Sequence, residues 1–258
     1  MQVAFVGKGG AGKSAISGTF ARLLARRGEP VLAIDSDPMP GLAFSLGLEV
    51  TDAPIPDEAV EEKAEGEPGP RYRLAAGLTA EEAVERYAAQ GPDEVRFLQF
   101  GKTRGQMATM VKSQFAFRQI VAELPEGRWS LVGDLPGGTR QLFMGWGNYA
   151  DTLVVVVEPT AKSLLSARRL ARFALTDEGP KEMLAVANKV RRPDDVELVA
   201  RRTGLEVIGT VPWDEELARA EKAAKAPVDA AAGSLAVAAV ASLVERLCGP
   251  RARTEELR

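Results

Sequence analysis

The sequence predicts an α/β fold in which a mainly parallel β-sheet is covered by helices on both faces. Three observations carry this prediction. Short apolar runs recur along the chain, longer segments of helical pattern lie between most of them, and a glycine-rich loop joins the first run to the first helix. A strand buried on both faces reads as a nearly continuous apolar run. The predicted strands are residues 3–6, 31–34, 130–133, 153–157, 183–187 and 206–208.

Helical periodicity predicts five further elements, at residues 14–25, 113–124, 163–174, 214–224 and 234–247. Thr79 and Glu82 have the spacing of a capping box, which predicts a short solvated helix over residues 79–89. Residues 51–72 collect prolines, glycines and glutamates, which predicts a mobile surface insertion. No internal repeat or linker interrupts the pattern, so we expect one domain over residues 1–258.

Composition excludes several classes of protein. Lys and Arg number 33 against 36 Asp and Glu, a near balance that makes a dedicated nucleic-acid surface unexpected. The single cysteine, Cys248, excludes an internal disulfide, and the absence of histidine removes the commonest neutral metal ligand. No signal peptide is visible, and the longest apolar stretch, residues 235–244, is shorter than the roughly 20 residues of a membrane span. We therefore expect a cytoplasmic protein with no membrane partner.

Residues 7–14 read GKGGAGKS, directly after the first predicted strand and directly before the first predicted helix. In a phosphate-binding P-loop, glycines let successive backbone N–H groups face a polyphosphate, and the helix adds its positive end. Lys13 is expected to reach the β- and γ-phosphates of a nucleotide, and Ser14 to offer its hydroxyl to Mg²⁺. The alternative is a plain strand-to-helix turn. The residues predicted to hold the nucleotide here are Gly7, Lys8, Gly9, Gly10, Ala11, Gly12, Lys13 and Ser14.

Lys8 is a second lysine, placed beside the first glycine of the loop. With this residue the loop resembles the deviant Walker A, or signature-lysine, family of P-loop NTPases, which includes MinD, ParA, the nitrogenase iron protein and CooC. The resemblance covers nearly the whole chain. In that family the signature lysine reaches the nucleotide of a partner subunit, so the resemblance implies a homodimer that forms on ATP binding. A solvated surface charge is the other reading of Lys8.

Two aspartates, Asp35 and Asp37, follow the second predicted strand, and Asp134 ends the third. The carboxyl ends of parallel strands are where ligands of open α/β folds bind. The resemblance implies that Asp37 positions the attacking water, that Asp35 supports the metal shell, and that Asp134 holds Mg²⁺ through water. It also implies that Gly138, in the pair Gly137-Gly138, brings a backbone N–H to the γ-phosphate. The alternatives are a helix cap for Asp35 and for Asp37, and a simple turn for the glycine pair.

Asn188-Lys189 follows the fifth predicted strand and matches the family's adenine-contacting asparagine. A guanine-binding N-K-x-D motif would need an aspartate where Arg191 stands, so ATP is favoured over GTP. The segment GTVPWDEEL resembles a family turn in which the backbone at Pro212 and Trp213 lines the base. Trp213 as a core aromatic residue is the alternative.

The order of segments resembles CooC-like ATPases, which couple ATP-driven dimerisation to maturation of a metalloenzyme. Those proteins carry a Cys-x-Cys pair where this chain has Thr109 and Val111, and soft metal ions require such thiolates. Gly137 stands where the iron-protein branch has a cluster-binding cysteine. We therefore expect ATP and Mg²⁺ as cofactors, with no Fe–S cluster and no transition-metal site.

The sequence thus favours a slow ATPase that acts as a switch on a protein client, with Lys8, Lys13 and Asp37 in hydrolysis. A positioning or partition ATPase is the alternative, although neither an amphipathic membrane helix nor a basic DNA face is evident, and residues 251–258 lack an apolar face. A nucleotide-binding protein with little turnover is the third reading.

Overall fold

The computed structural model describes residues 1–37, 41–49, 55–64, 66–99, 107–139, 142, 144–176 and 179–249, with backbone alone at 107–110. The strands are β1 (Gln2–Gly7), β2 (Val31–Asp35), β3 (Val60–Glu62), β4 (Tyr72–Leu74), β5 (Ala89–Gln90), β6 (Arg96–Gln99), β7 (Ser130–Asp134), β8 (Thr152–Val157), β9 (Glu182–Val190) and β10 (Val207–Pro212). The helices are α1 (Lys13–Ala25), α2 (Leu42–Leu46), α3 (Ala80–Tyr87), α4 (Met107–Ala122), α5 (Ala161–Ala171), α6 (Asp194–Thr203), α7 (Glu215–Lys222), α8 (Pro227–Ala230) and α9 (Leu235–Cys248).

Eight strands form one sheet in the order β10-β9-β8-β1-β7-β2-β6-β5. All neighbours pair in parallel except β5 and β6, which are antiparallel. This confirms the predicted α/β fold and its mainly parallel sheet. Strand β6 was not predicted because its sequence, with Arg96 and Gln99 at its ends, has only two consecutive apolar residues. Its neighbour β2 supplies the parallel pairing that the short pattern could not indicate.

Two apolar cores lie on opposite faces of the sheet. One contains Phe5 and Phe20, whose rings pack edge to face with centroids 5.5 Å apart, together with the inner face of α9. The other contains Phe117 of α4 and Leu170 of α5. Both faces of β1 and β7 are therefore covered, which explains why these strands read as continuous apolar runs.

The capping box predicted at Thr79 is confirmed at the start of α3. The Glu82 N–H donates to Thr79 Oγ1 at 3.2 Å, and the Thr79 N–H donates to Glu82 Oε2 at 3.0 Å. Within the described ranges, no helix combines the length and the apolar character that crossing a bilayer requires.

The predicted surface insertion contains regular structure. Strands β3 and β4 form an antiparallel hairpin, and Val60, Tyr72 and Leu74 are buried. The Leu74 N–H donates to Gln119 Oε1 of α4 at 2.7 Å, which attaches the hairpin to that helix. Residues 50–54 and 65 lie outside the described residues, and the mobility of the segment stays a prediction.

Candidate nucleotide-binding site

The glycine-rich loop between β1 and α1 is shaped by close backbone approaches. Gly7 has φ +150°, and a Cβ there would lie 2.5 Å from the carbonyl oxygen of Val156 in β8. Gly12, the N-cap of α1, has φ +90°, and a Cβ there would lie 2.4 Å from Asn188 Nδ2. Backbone with φ in this range is costly for residues that carry a side chain. Glycine at these two positions therefore lets the loop lie directly on β8 and β9.

The two lysines of the loop occupy different surroundings. Lys13, the first residue of α1, is buried, with 8% of its surface exposed. Lys8 is half-buried, and its Nζ donates to the carbonyl oxygen of Gly9 at 3.1 Å on the exposed side of the loop. Lys13 is thus placed to act inside the loop, whereas Lys8 lies at its outer surface.

Ser14 and Asp134 meet at the carboxyl edge of the sheet although they are far apart in sequence. Ser14 Oγ donates to Asp134 Oδ2 at 2.5 Å. The other oxygen, Oδ1, is buried and accepts no hydrogen bond from any described residue. Burial, followed by the nearby Asp35 charge, raises the pKa of Asp134 to about 7. An unsatisfied carboxylate oxygen beside a hydroxyl suits the oxygen ligands that Mg²⁺ prefers, so these residues fit the predicted metal site.

Asp35 lies at the same edge and organises the loop that follows β2. Its Oδ1 accepts from the backbone N–H of Asp37 at 2.9 Å, and its Oδ2 accepts from those of Gly41 and Leu42, each at 3.1 Å. Burial raises the pKa of Asp35 to about 6, and these hydrogen bonds oppose the rise. Asp35 therefore caps the start of the following helix, which was the alternative to a role at the metal. Its support of the metal shell stays a prediction. Asp37, half-buried, stands at the rim of this loop.

The loop after Asp134 lies against the phosphate loop. The Gly138 N–H donates to the carbonyl oxygen of Gly7 at 3.1 Å. A Cβ on Gly137 would lie 2.9 Å from both the Cα and the N of Gly9. Because the Gly138 N–H is already engaged, its predicted contact with a γ-phosphate requires this loop to move.

Asn188 and Lys189 hold the phosphate loop from the opposite side. Asn188 is buried, and its Nδ2 donates to the carbonyl oxygen of Ala11 at 2.6 Å. Lys189 Nζ donates to the carbonyl oxygen of Gly10 at 2.8 Å and lies 2.5 Å from Glu158 Oε1. These contacts give Asn188 a role in the loop's shape, and its contact with adenine stays a prediction.

Trp213 is a surface residue rather than a core aromatic. Its indole is half-buried, the Arg191 guanidinium carbon lies 4.4 Å from the ring centroid, and Nε1 donates to Glu215 Oε1 at 2.8 Å. A cavity of about 470 Å³ lies between this ring, Lys189 and Glu158. Pro212, half-buried at the end of β10, immediately precedes it. Lining of the base by Pro212 and Trp213 remains a prediction.

The sequence profile of the CobQ/CobB/MinD/ParA nucleotide binding domain matches residues 3–228. The chain belongs to this family. The match extends from β1 into α8, and it includes the phosphate loop and the aspartates that end β2 and β7. The resemblance drawn from Lys8 and its neighbours is thereby confirmed.

Two curated sequences and one solved structure illustrate what this chain is similar to. An uncharacterized ATP-binding protein of Methanocaldococcus jannaschii is 28% identical over 228 residues, which cover 86% of this chain and 88% of the relative. The carbon monoxide dehydrogenase accessory protein CooC of Rhodospirillum rubrum is 28% identical over 260 residues, covering 97% and 98%. The septum site-determining protein MinD of Pyrococcus horikoshii, solved with Mg-ADP, superposes with a TM-score of 0.70 at 17% identity, covering 96% and 95%. The last similarity confirms the P-loop NTPase fold.

The site of this MinD/ParA-family chain contains a tyrosine that sequence reasoning missed. Tyr149 places its hydroxyl above Gly133, where an added Cβ would lie 1.6 Å from it. The hydroxyl is buried and approaches the Ser36 hydroxyl, which is also buried, and neither forms a well-aligned hydrogen bond within the described residues. Burial, then the charges of Asp134 and Asp35, raise the pKa of Tyr149, so the phenol keeps its proton. A glycine just before the strand-ending Asp134 was the one local signal for this contact.

Proposed function

We propose that this protein is a Mg²⁺-dependent ATP-binding and hydrolysing switch that forms a nucleotide-sandwich homodimer and acts on a protein client. One observation supports this most directly: Ser14 Oγ and the Asp134 carboxylate, whose Oδ1 accepts no hydrogen bond from a described residue, lie together beside the glycine-rich loop that contains Lys13. A phosphate loop without a neighbouring hydroxyl and carboxylate would bind anions but would lack ligands for their metal ion.

Each residue of the site has a distinct part in the proposed reaction. Lys13 and the loop N–H groups bind the β- and γ-phosphates, whose negative charge they neutralise. Bound Mg²⁺ would supply further neutralisation of that charge, held by Ser14 and, through water, by Asp134. Asp37, carried by the loop that Asp35 caps, orients the attacking water. Lys8 extends from the outer surface to the nucleotide of the partner subunit.

The two loops that flank the γ-phosphate position give the switch its moving parts. The Gly138 N–H is engaged by Gly7, and that hydrogen bond must break before the N–H can contact a γ-phosphate. Hydrolysis would remove the contact and let the loop return to Gly7. Nucleotide state would thereby be coupled to the surface that residues 135–139 present to a partner.

Similarity to CooC, an accessory protein of carbon monoxide dehydrogenase, supports a client that is a maturing metalloenzyme. Val111 occupies one of the two positions where CooC-like proteins have cysteine, and the Thr109 side chain lies outside the described residues. The proposed maturation role therefore does not include transition-metal binding by this chain. Tight nickel or zinc binding to the purified protein would contradict that part.

Substitution of Asp37 by alanine tests the switch. We expect Asp37→Ala protein to bind ATP and to remain dimeric, with turnover reduced roughly 100-fold or more, because the water loses its orienting carboxylate. Light scattering after addition of Mg-ATP measures the dimer, and phosphate release measures turnover. Asp194→Ala, an exposed aspartate in α6, is the matched control and should behave as the parent. Hydrolysis by Asp37→Ala at the parent rate would refute the assignment.

Tyr149→Phe should slow turnover about tenfold without changing the affinity for ATP. The hydroxyl is a buried polar group that approaches Ser36, and its loss leaves the Ser36 hydroxyl and the nearby charges of Asp134 and Asp35 in less polar surroundings. Because Ser36 stands between Asp35 and Asp37, the effect should appear in kcat and leave KM unchanged. Tyr87→Phe, a half-buried tyrosine of α3, is the control. An equal loss in both variants, or a loss confined to thermal stability, would show that Tyr149 acts only in packing.

A further inference from the structure

A surface groove runs between helices α5 and α6, about 360 Å³ in volume. Its apolar lining comes from Leu164, Leu165 and Leu198, with Pro159 and Ala161 at one end. Leu164 is buried and forms the floor, whereas Leu165 is 51% exposed. A large apolar side chain exposed beside an apolar groove is the arrangement by which protein surfaces hold a hydrophobic side chain of a partner.

Three exposed arginines border this groove: Arg168 and Arg202 line it, and Arg201 lines the adjoining hollow with Arg168. None of the three lies within ion-pair distance of a carboxylate in the part of the chain that the structure describes. Several arginines elsewhere, although not Arg169, Arg172, Arg191 or Arg192, form ion pairs within the described residues, among them Arg22, Arg26, Arg73, Arg128 and Arg246. The rim is thus a local positive charge on a chain whose net charge is −3.

Helix α6 carries its acidic residues toward its start and its arginines at its end. The acidic residues of this helix, Asp194, Asp195 and Glu197, stand in its first turn, and Arg201 and Arg202 stand in its last. Asp195 Oδ2 accepts from the backbone N–H groups of Arg191 and Arg192, each at 3.0 Å, so this carboxylate is used at the other end. Glu197 and Arg201 are one turn apart on this helix, yet no ion pair joins these two described residues. The Arg201 guanidinium is therefore available to a carboxylate of a partner.

We propose that this arginine-bordered groove binds an amphipathic acidic helix of the client protein, an inference that rests on the proposed function. The leucine lining would receive the apolar face of the segment, and the arginines would pair with carboxylates on its flanks. A nucleic acid would satisfy the arginines but would leave the leucines against a charged backbone. The combination of groove and rim therefore favours an acidic peptide.

A chain of contacts leads from the groove to the phosphate loop. Ser163, at the start of α5 next to Leu164, accepts through Oγ from the Glu158 N–H at 3.1 Å. The Glu158 carboxylate contacts Lys189, which in turn donates to the Gly10 carbonyl oxygen. A segment that displaced α5 would alter the position of Glu158 and, through Lys189, the loop that holds the phosphates. Docking and nucleotide turnover would then influence each other.

The test uses synthetic peptides and the full chain. The probe is a fluorescent helical peptide of about 18 residues with leucine at helical spacing and glutamate elsewhere. A peptide with lysine for glutamate and a scrambled peptide of the same composition are its counterparts. Fluorescence anisotropy measures binding to the parent protein, to Arg168→Glu/Arg202→Glu, and to Leu165→Asp. Lys222→Glu/Lys225→Glu changes the net charge equally at exposed positions outside the groove and is the matched control.

We expect the acidic peptide to bind the parent and the control alike, and to bind both groove variants roughly tenfold more weakly. The lysine peptide should prefer Arg168→Glu/Arg202→Glu over the parent, since the charges are then exchanged. Equal binding to all variants, equal binding of the scrambled peptide, or binding of duplex DNA in place of the acidic peptide would overturn the proposal.

Peptide binding is measured apart from catalysis so that the two proposals can fail separately. The same titration with Lys13→Ala protein measures peptide binding to the groove in a variant that should not bind ATP. If Lys13→Ala protein still binds the peptide and the parent does not hydrolyse ATP, the docking proposal is supported and the proposed ATPase function is refuted. Lost binding in the groove variants with unchanged basal hydrolysis is the expected outcome for both proposals, because neither Arg168 nor Arg202 lies in the nucleotide site.

Discussion

Lys13→Ala should lower the affinity for Mg-ATP by about 100-fold or more. Lys13 is buried at the start of α1 and would face phosphate charge that no other side chain of the loop can reach as directly. Leaving a desolvated charge without its partner costs about 3–5 kcal/mol, and each 1.4 kcal/mol is about a factor of ten. Isothermal titration calorimetry with Mg-ATP measures the loss.

Two controls make this result specific to the phosphate loop. Lys225→Ala removes an exposed lysine elsewhere and should bind nucleotide as the parent does. A melting experiment without nucleotide should show that Lys13→Ala protein is folded. Affinity within a factor of about three of the parent would mean that this loop is a plain strand-to-helix turn, because a P-loop lysine contributes far more.

Lys8→Ala should abolish dimerisation and reduce turnover about 100-fold or more while each subunit still binds nucleotide. Among the described residues, the amino group of Lys8 donates only to the adjacent Gly9 carbonyl at the exposed side of the loop, so we expect its removal to leave the subunit's own phosphate site intact. A cation supplied by a partner to the transferring phosphoryl group raises turnover by about 10³–10⁵ in related phosphoryl-transfer systems. Light scattering with a slowly hydrolysed ATP analogue measures the dimer, and phosphate release measures turnover.

The contrast between the two lysines is the informative result. Lys162→Ala, an exposed lysine of α5, serves as the control for loss of a surface charge. If Lys8→Ala protein dimerised as the parent does, Lys8 would be the solvated charge of its alternative reading. Loss of nucleotide affinity in Lys8→Ala would likewise contradict the division of roles.

Much of the fold was accessible from the sequence because its signals are local. Five strands are buried on both faces, namely β1, β2, β7, β8 and β9. A strand buried in this way needs apolar residues at consecutive positions, which the sequence shows directly. The ends of α3 and α9 carry their own caps, with Thr79 and Ser234 accepting backbone N–H groups. Strand β6 and the β3–β4 hairpin were missed because pairing and packing against α4, rather than their own pattern, stabilise them.

In the candidate site, too, the sequence indicated the residues with local signals and missed those that only tertiary contacts bring together. The phosphate loop was evident because its glycines, lysine and serine are contiguous, and strand-ending aspartates were evident because each follows an apolar run. The tyrosine above Gly133 and the Glu158–Lys189–Gly10 contacts were not evident, since each joins residues from separate strands. The capping contacts of Asp35 depend on where the backbone at Gly41 and Leu42 returns.

The sequence by itself determined the family of this chain, its parallel α/β architecture and the identity of its phosphate loop. Only the tertiary structure decided that Asp134 meets Ser14, that Asn188 and Lys189 support the loop, and that exposed arginines border an apolar groove. The physical reason is range. Backbone conformation and burial depend on neighbours along the chain, whereas these contacts depend on the strand order β9-β8-β1-β7, which brings distant segments to one edge of the sheet.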